Sequence, residues 1–171
     1  FEGNNYMKDG ASIHKVLEKL NQIDFNVEKE RHHFGEIYES MLQELQSAGK
    51  SGEFYTPRAI TQFIAKIIKP LPGEKILDPS CGTGGYLVSA LGELMRHCPE
   101  PSQLQQLAKN VEGWEYKPLP SLLAITNLIL HDIEIPSIIY KDSLKKPLSA
   151  YTDEEKVKII LVSLDFEKDH K

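Results

Sequence analysis

Apolar residues in this chain recur first with a helical period and then in short runs. Ile13, Val16, Leu17, Leu20 and Ile23 form one stripe, with Lys15, Glu18 and Lys19 on the wet side, which predicts an amphipathic helix capped by Ser12. A second stripe of Phe34, Ile37, Tyr38, Met41, Leu42 and Leu45 predicts a helix from about Glu28 to Ala48, ended by Gly49. Gly49-Lys-Ser-Gly52 reads as a flexible linker. Thr56 then caps, and Pro57 opens, a third helix whose Ile60, Phe63, Ile64 and Ile67 are expected to pack on a sheet. Beyond it the apolar runs are strand-length: Ile76-Leu77, Val111 to Glu115, Ile138 to Tyr140 and Val157 to Val162. Helical segments separate them, one carrying Leu87, Val88, Ala90, Leu91, Leu94 and Met95, one spanning Ser102 to Lys109, and one opened by Pro118, with Leu122, Ile125, Leu128 and Ile129 on one face and Leu123, Ala124 and Leu130 broadening it into a largely buried element. Strands alternating with helices predict a parallel α/β sheet in the order 3-2-1-4. The organisation expected is a helical N-terminal portion, 1–50, followed by an α/β domain, 51–171.

The first strand leads into Asp78-Pro-Ser-Cys-Gly-Thr-Gly-Gly85, an acid followed by a glycine-rich turn. Gly82, Gly84 and Gly85 permit backbone shapes and close approaches that a Cβ forbids. A dinucleotide fingerprint requires a third glycine where Leu87 stands, and a P-loop requires Gly-Lys-Ser/Thr where Gly84 and Gly85 precede Tyr86. An acid beside the turn repels phosphate and favours a cation, which fits the sulfonium and ammonium groups of S-adenosylmethionine better than a diphosphate. The competing reading is a plain strand-to-helix turn, and eight consecutive fitting residues favour the ligand loop. Glu115 ends the second strand, where a carboxylate accepts ribose hydroxyls or is simply solvated. Trp114 beside it is either core or an adenine contact, Tyr116 is a candidate adenine contact, and Asp142 follows the third strand, where an aspartate can form a turn.

These stretches resemble the N6-adenine DNA methyltransferases, and more narrowly the modification subunit of type I restriction-modification systems. The glycine turn carries the resemblance, with Gly52-Glu-Phe-Tyr-Thr-Pro-Arg58 before it and Glu112-Gly-Trp-Glu-Tyr-Lys-Pro118 and Asn127-Leu-Ile-Leu-His131 after it. The resemblance implies a Rossmann-like S-adenosylmethionine-dependent methyltransferase half-sheet, preceded by the helical N-terminal part. It also implies cofactor contacts from Tyr55, Thr56, Pro57, Asp78, Ser80, Gly82, Thr83, Gly84, Gly85, Glu115 and Asp142. In that family Asn-Pro-Pro-Phe or Asp-Pro-Pro-Tyr follows the fourth strand and holds the target adenine. Here those four positions are Ser163, Leu164, Asp165 and Phe166, so no catalytic residue is assigned. The chain is therefore expected to keep the donor half and to be inactive alone, and to be a fragment or truncated form, since family members are much longer. A DNA-specificity subunit, a restriction subunit, and DNA bound through their complex are the implied partners, and self-association through the fourth strand is a further expectation. The alternatives are a non-catalytic cofactor-binding or assembly module and a methyltransferase acting on another substrate.

Composition adds three points. The 171 residues and 40% hydrophobic content suffice for a real core, and no run approaches the roughly 20 apolar residues that span a bilayer, so a cytoplasmic protein is expected. A net charge of −5 leaves little pull on DNA phosphates, so DNA binding is expected to lean on partners. Cys81 and Cys98 lack metal or redox spacing and read as free thiols, and the adjacent His32 and His33 point to different helix faces, so no metal site is expected.

Overall fold

The computed structural model describes residues 9–24, 27–47, 56–97 and 100–162. Helices α1 (Gly10–Leu20), α2 (Glu28–Ser47) and α3 (Arg58–Ile68) precede β1 (Ile76–Asp78), α4 (Gly85–His97), α5 (Pro101–Ala108), β2 (Val111–Glu115), α6 (Pro118–Leu130), β3 (Ser137–Tyr140) and β4 (Ile159–Ile160). Two single-turn 3-10 helices, Leu148–Ala150 and Asp153–Glu155, lie between the last two strands. The strands form one parallel sheet in the order β3-β2-β1-β4. Asp78 pairs with Gly113 and Glu115 with Tyr140, so the carboxyl ends of β1, β2 and β3 share one rim.

Successive steps from β1 to β2 to β3 run in one direction across the sheet, and right-handed crossovers then put α4 and α6 on the same face. The two helices touch each other and β2, and α3 packs on α4. Leu87, Leu91, Leu94, Leu104, Ala124 and Leu128 fill the space between these helices and Ile76 and Val111. Gly113 is what lets the layers close this far. A Cβ there would lie 2.7 Å from Leu87 Cδ1, 2.8 Å from Ile138 Cδ1 and 2.9 Å from Cys81 Sγ. Glu112 and Trp114 alternate with Gly113 and so point to the opposite face.

Of the N-terminal helices, α2 attaches to the α/β part. Tyr38 Oη donates to the Leu123 carbonyl at 2.9 Å, Arg31 pairs with Asp132, and Gly35 lies against Leu130, so α2 rests on α6. Burial raises the Tyr38 phenol to about 12, consistent with a hydroxyl used as a donor.

Several expectations require correction. Asp9, not Ser12, caps α1, accepting the Ser12 N–H at 2.7 Å, and α1 buries none of its side chains. On α2, Leu42 is buried and Phe34 and Tyr38 are half-buried, but Ile37 and Met41 face solvent. Pro57 occupies the cap position of α3, which begins at Arg58, and Thr56 makes no capping bond. Ile60, Phe63 and Ile67 are exposed, Phe63 at 63%, while Thr61, Ile64 and Ala65 make the inward face. An amphipathic stripe fixes which residues share a face and leaves open what that face meets. The fourth strand is only Ile159–Ile160 rather than Val157 to Val162, although the Lys158 and Leu161 N–H groups extend its bonding to Lys75 and Leu77 of the β1 run. Leu45 and the Gly49–Gly52 linker lie outside the described side chains and residues.

Candidate functional site

Asp78 ends β1 with 1% of its surface exposed, and its Oδ1 accepts the Ser80 N–H at 3.1 Å. The turn behind it is held at several points. Cys81 N–H donates to the Trp114 carbonyl at 2.9 Å and Gly84 N–H to the Cys81 carbonyl at 2.7 Å. Gly82 at φ 53° and Gly84 at φ 79° occupy left-handed backbone. A Cβ on Gly84 would stand an ordinary 3.5 Å from Ala124 Cβ, so backbone conformation rather than space selects glycine there. From Gly85 the chain runs straight into α4.

Glu115 closes the second wall. One carboxylate oxygen accepts the Gly82 N–H at 2.9 Å and the other accepts the Lys117 N–H at 2.7 Å. Each oxygen retains a lone pair, so the group can still accept from hydroxyls. Burial, followed by the nearby Glu115 charge, pushes the Asp78 carboxyl up to about 7, against the pull of the Ser80 N–H. A pocket of this kind favours a cation or a donor-rich group and resists phosphate. Burial also raises the Cys81 thiol, so this free cysteine is an inert filler, not a nucleophile.

The structure brings Asp78, Ser80, Gly82, Thr83, Gly84, Gly85 and Glu115 together around one turn. Thr56 and Pro57 stand at the start of α3, and the adjacent Arg58 donates to the Gly85 carbonyl at 3.0 Å while pairing with Glu39 of α2. Asp142 is half-buried past β3, and its Oδ1 accepts the Leu144 N–H at 3.0 Å. Tyr116 stacks on Tyr140 at 6.1 Å between centroids, on the exposed rim. Trp114 is half-buried on the opposite sheet face under the Lys141 ammonium. Tyr55 and Cys98 lie outside the described residues, as do all four positions of the altered motif, Ser163, Leu164, Asp165 and Phe166.

Motif reading quoted Asn127 and Arg58 without giving either a role, and it passed over Thr61 and Ser89. Asn127 is wholly buried, and its amide donates to the Thr83 carbonyl at 2.8 Å, tying α6 to the glycine turn. A buried Asn in an otherwise apolar helix was the available signal. Thr61 and Ser89 share a 2.8 Å hydroxyl bond between α3 and α4, and Arg58 adds its contact to Gly85. His131 caps α6 with Nδ1 2.8 Å from the Asn127 carbonyl, and burial lowers its pKa, as suits a structural residue. His33 faces solvent 3.7 Å from Glu36, and among the described residues no cluster of three metal-ligating side chains occurs.

The sequence pattern of the N-6 DNA methylases matches residues 29–171. This chain belongs to that family. The chain is 46% identical over 164 residues to the type I restriction enzyme EcoEI methylase subunit of Escherichia coli, covering 95% of itself and 33% of that protein. It is 35% identical over 114 residues to the StySPI methylase subunit of Salmonella potsdam, covering 62% of itself and 22% of that protein. It thus spans about a third or less of these relatives. Among solved structures, a modification subunit assigned to a type I restriction enzyme of Vibrio vulnificus YJ016 superposes with a TM-score of 0.73 at 40% identity, over 88% of this chain and 31% of that one. A Listeria monocytogenes protein assigned to the class I S-adenosylmethionine-dependent methyltransferases shares the fold, with a TM-score of 0.57 at 18% identity over 91% of this chain and 46% of that one. The helix-then-parallel-sheet order seen here is therefore the Rossmann-like methyltransferase arrangement expected from the motifs.

Proposed function

We propose that this methylase chain supplies the S-adenosylmethionine-binding, methyl-donor side of a type I DNA adenine-N6 methyltransferase. The observation that carries the proposal is the buried Asp78 carboxyl, held near 7 beside Glu115 at the mouth of a turn built on two left-handed glycines. Asp78 is charged at neutral pH only at a cost, and a cationic ligand offsets that cost. When bound, the cofactor supplies an electrophilic methyl group on a sulfonium. Asp78 takes its cationic end, Glu115 its ribose hydroxyls and Asp142 its adenine amino group. Backbone from Ser80, Gly82, Thr83, Gly84 and Gly85 lines the approach, and Tyr55, Thr56 and Pro57 close the methionine end.

The complete assembly would include a DNA-specificity subunit, a restriction subunit and DNA, the last held mainly by the partners because this chain carries a net charge of −5. Where the family places Asn-Pro-Pro-Phe, Ser163 replaces the amide and Leu164 and Asp165 replace the two prolines, with only the aromatic kept as Phe166. That departure favours a second reading, a cofactor-binding module without its own acceptor site. Titration calorimetry with S-adenosylmethionine tests the site. Charge-assisted hydrogen bonds contribute on the order of 1.5 to 3 kcal/mol, so Glu115→Ala is expected to weaken binding about tenfold to a hundredfold. Parent-like affinity in both Asp78→Ala and Glu115→Ala would show the assignment to be wrong.

A further inference from the structure

Behind the rim, on the sheet face turned away from α4 and α6, Trp114 is held on several sides. The Lys141 ammonium sits 3.5 Å from its ring centroid. The Tyr151 ring lies parallel to it, 6.3 Å away at 13°, with the same ammonium 5.6 Å from that ring. Lys146 covers Tyr151 at 4.3 Å and is itself paired to Glu155 at 2.5 Å. The Trp114 indole N–H donates to the Glu112 carboxylate. One clasp thus gathers β2, the segment leaving β3, and the 3-10 turns.

Its chain positions give the clasp a role. Trp114 immediately precedes Glu115 and Lys141 immediately precedes Asp142, the two acids assigned to the adenosine half of the ligand. Their backbones already meet, since Lys141 N–H donates to the Glu115 carbonyl at 2.9 Å. In a strand, neighbouring side chains leave opposite faces, so fixing Trp114 behind the sheet fixes the direction of Glu115 in front of it. A cation on an indole face is a directional contact that a methylene chain alone does not reproduce.

We propose that Lys141 is a positioning residue for adenosine recognition, acting through Trp114 and the shared backbone to set Glu115 and Asp142. This rests on the cofactor reading above. The test uses the 171-residue chain and its Lys141→Met and Lys141→Arg variants, titrated with S-adenosylhomocysteine and with methylthioadenosine, which keeps the adenosine and lacks the amino acid. Lys141→Met is expected to weaken both compounds by the same factor, about fivefold, and Lys141→Arg to restore both to within about twofold, because guanidinium also stacks on indole. Trp114 is the only tryptophan, so its emission reports the clasp directly and should change in the Met variant and return towards the parent in the Arg variant. Parent-like affinity in Lys141→Met with altered Trp114 emission would overturn the proposal, as would equal losses in the Met and Arg variants. A lowered melting temperature with unchanged affinity would make Lys141 merely structural and overturn it too. A parent chain that binds neither compound overturns the cofactor reading, and this inference falls with it.

Discussion

Replacing Asp78 by Asn should stabilise the protein while abolishing its ligand preference. The folded carboxyl keeps its proton to about 7, whereas the unfolded one releases it near its ordinary 3.8. Across that window the folded state binds more protons, so Asp78's contribution is most favourable at the acid end, declines as pH rises, and levels off above 7. The displacement is roughly three pH units, and at about 1.36 kcal/mol each the ionised side chain costs about 4 kcal/mol at pH 8. Asparagine copies the neutral acid's shape and still accepts the Ser80 N–H. Urea unfolding of parent and Asp78→Asn, followed by circular dichroism from pH 4 to 8, should therefore show curves that nearly coincide at pH 4 and separate towards pH 8, with the variant the more stable. Other groups cancel in this difference, including His131, whose lowered pKa costs stability as pH falls. Calorimetry should show S-adenosylmethionine binding the parent more tightly at pH 8 than at pH 6, with proton release, and the variant binding weakly at both. A stability difference independent of pH, or a variant less stable than the parent at pH 8, would refute the argument that burial strains this carboxylate.

Other outcomes are expected from the packing and the sheet edge. Gly113→Ala pushes a methyl into Leu87, Ile138 and Cys81, so it should lower stability by about 1 to 3 kcal/mol, read from the urea midpoint, with no change in unfolding slope. The β4 edge, with Ile160 60% exposed, should pair with a second chain, and sedimentation should show concentration-dependent association that Ile160→Lys suppresses. Methyl transfer to unmodified DNA should be undetectable with the chain alone in a tritiated-methyl assay, because Ser163, Leu164 and Asp165 stand in for the amide and the two prolines, and a 1 Å misplacement of reacting groups costs about a hundredfold. Incorporation into adenine, abolished by Asp165→Ala, would show that the altered motif functions.

Local chemistry was the most legible part of the sequence. The bounds of β2 and the meeting of Asp78 with the glycine turn followed from residues close together in the chain, and the strand order from the alternation of strands and helices. Glu115 was legible as a strand-end acid, but its grip on Gly82 N–H was not, because that bond joins residues 33 apart in sequence. The same limit hid Asn127 on Thr83 and Arg58 on Gly85. Helical periodicity put Ile60, Phe63, Ile64 and Ile67 of α3 inward, but only Ile64 is partly buried, and the smaller Thr61 and Ala65 make the close approach to α4. Trp114 was left open by the sequence between core and adenine contact, and strand alternation turns it to the other face, under Lys141.

The order β3-β2-β1-β4 also divides labour along the sheet. All three acids assigned to the ligand leave β1, β2 and β3, whereas β4, on the far side of β1, contributes none of them and leads instead into Ser163 to Phe166. The β4 flank is linked to the proposed site by the Leu161 N–H on the Leu77 carbonyl, one residue before Asp78. On the proposed reading, substitutions at Ser163 to Phe166 bear on the acceptor and leave the side chains of Asp78, Glu115 and Asp142 unchanged, so donor binding and methyl transfer separate into two independent measurements.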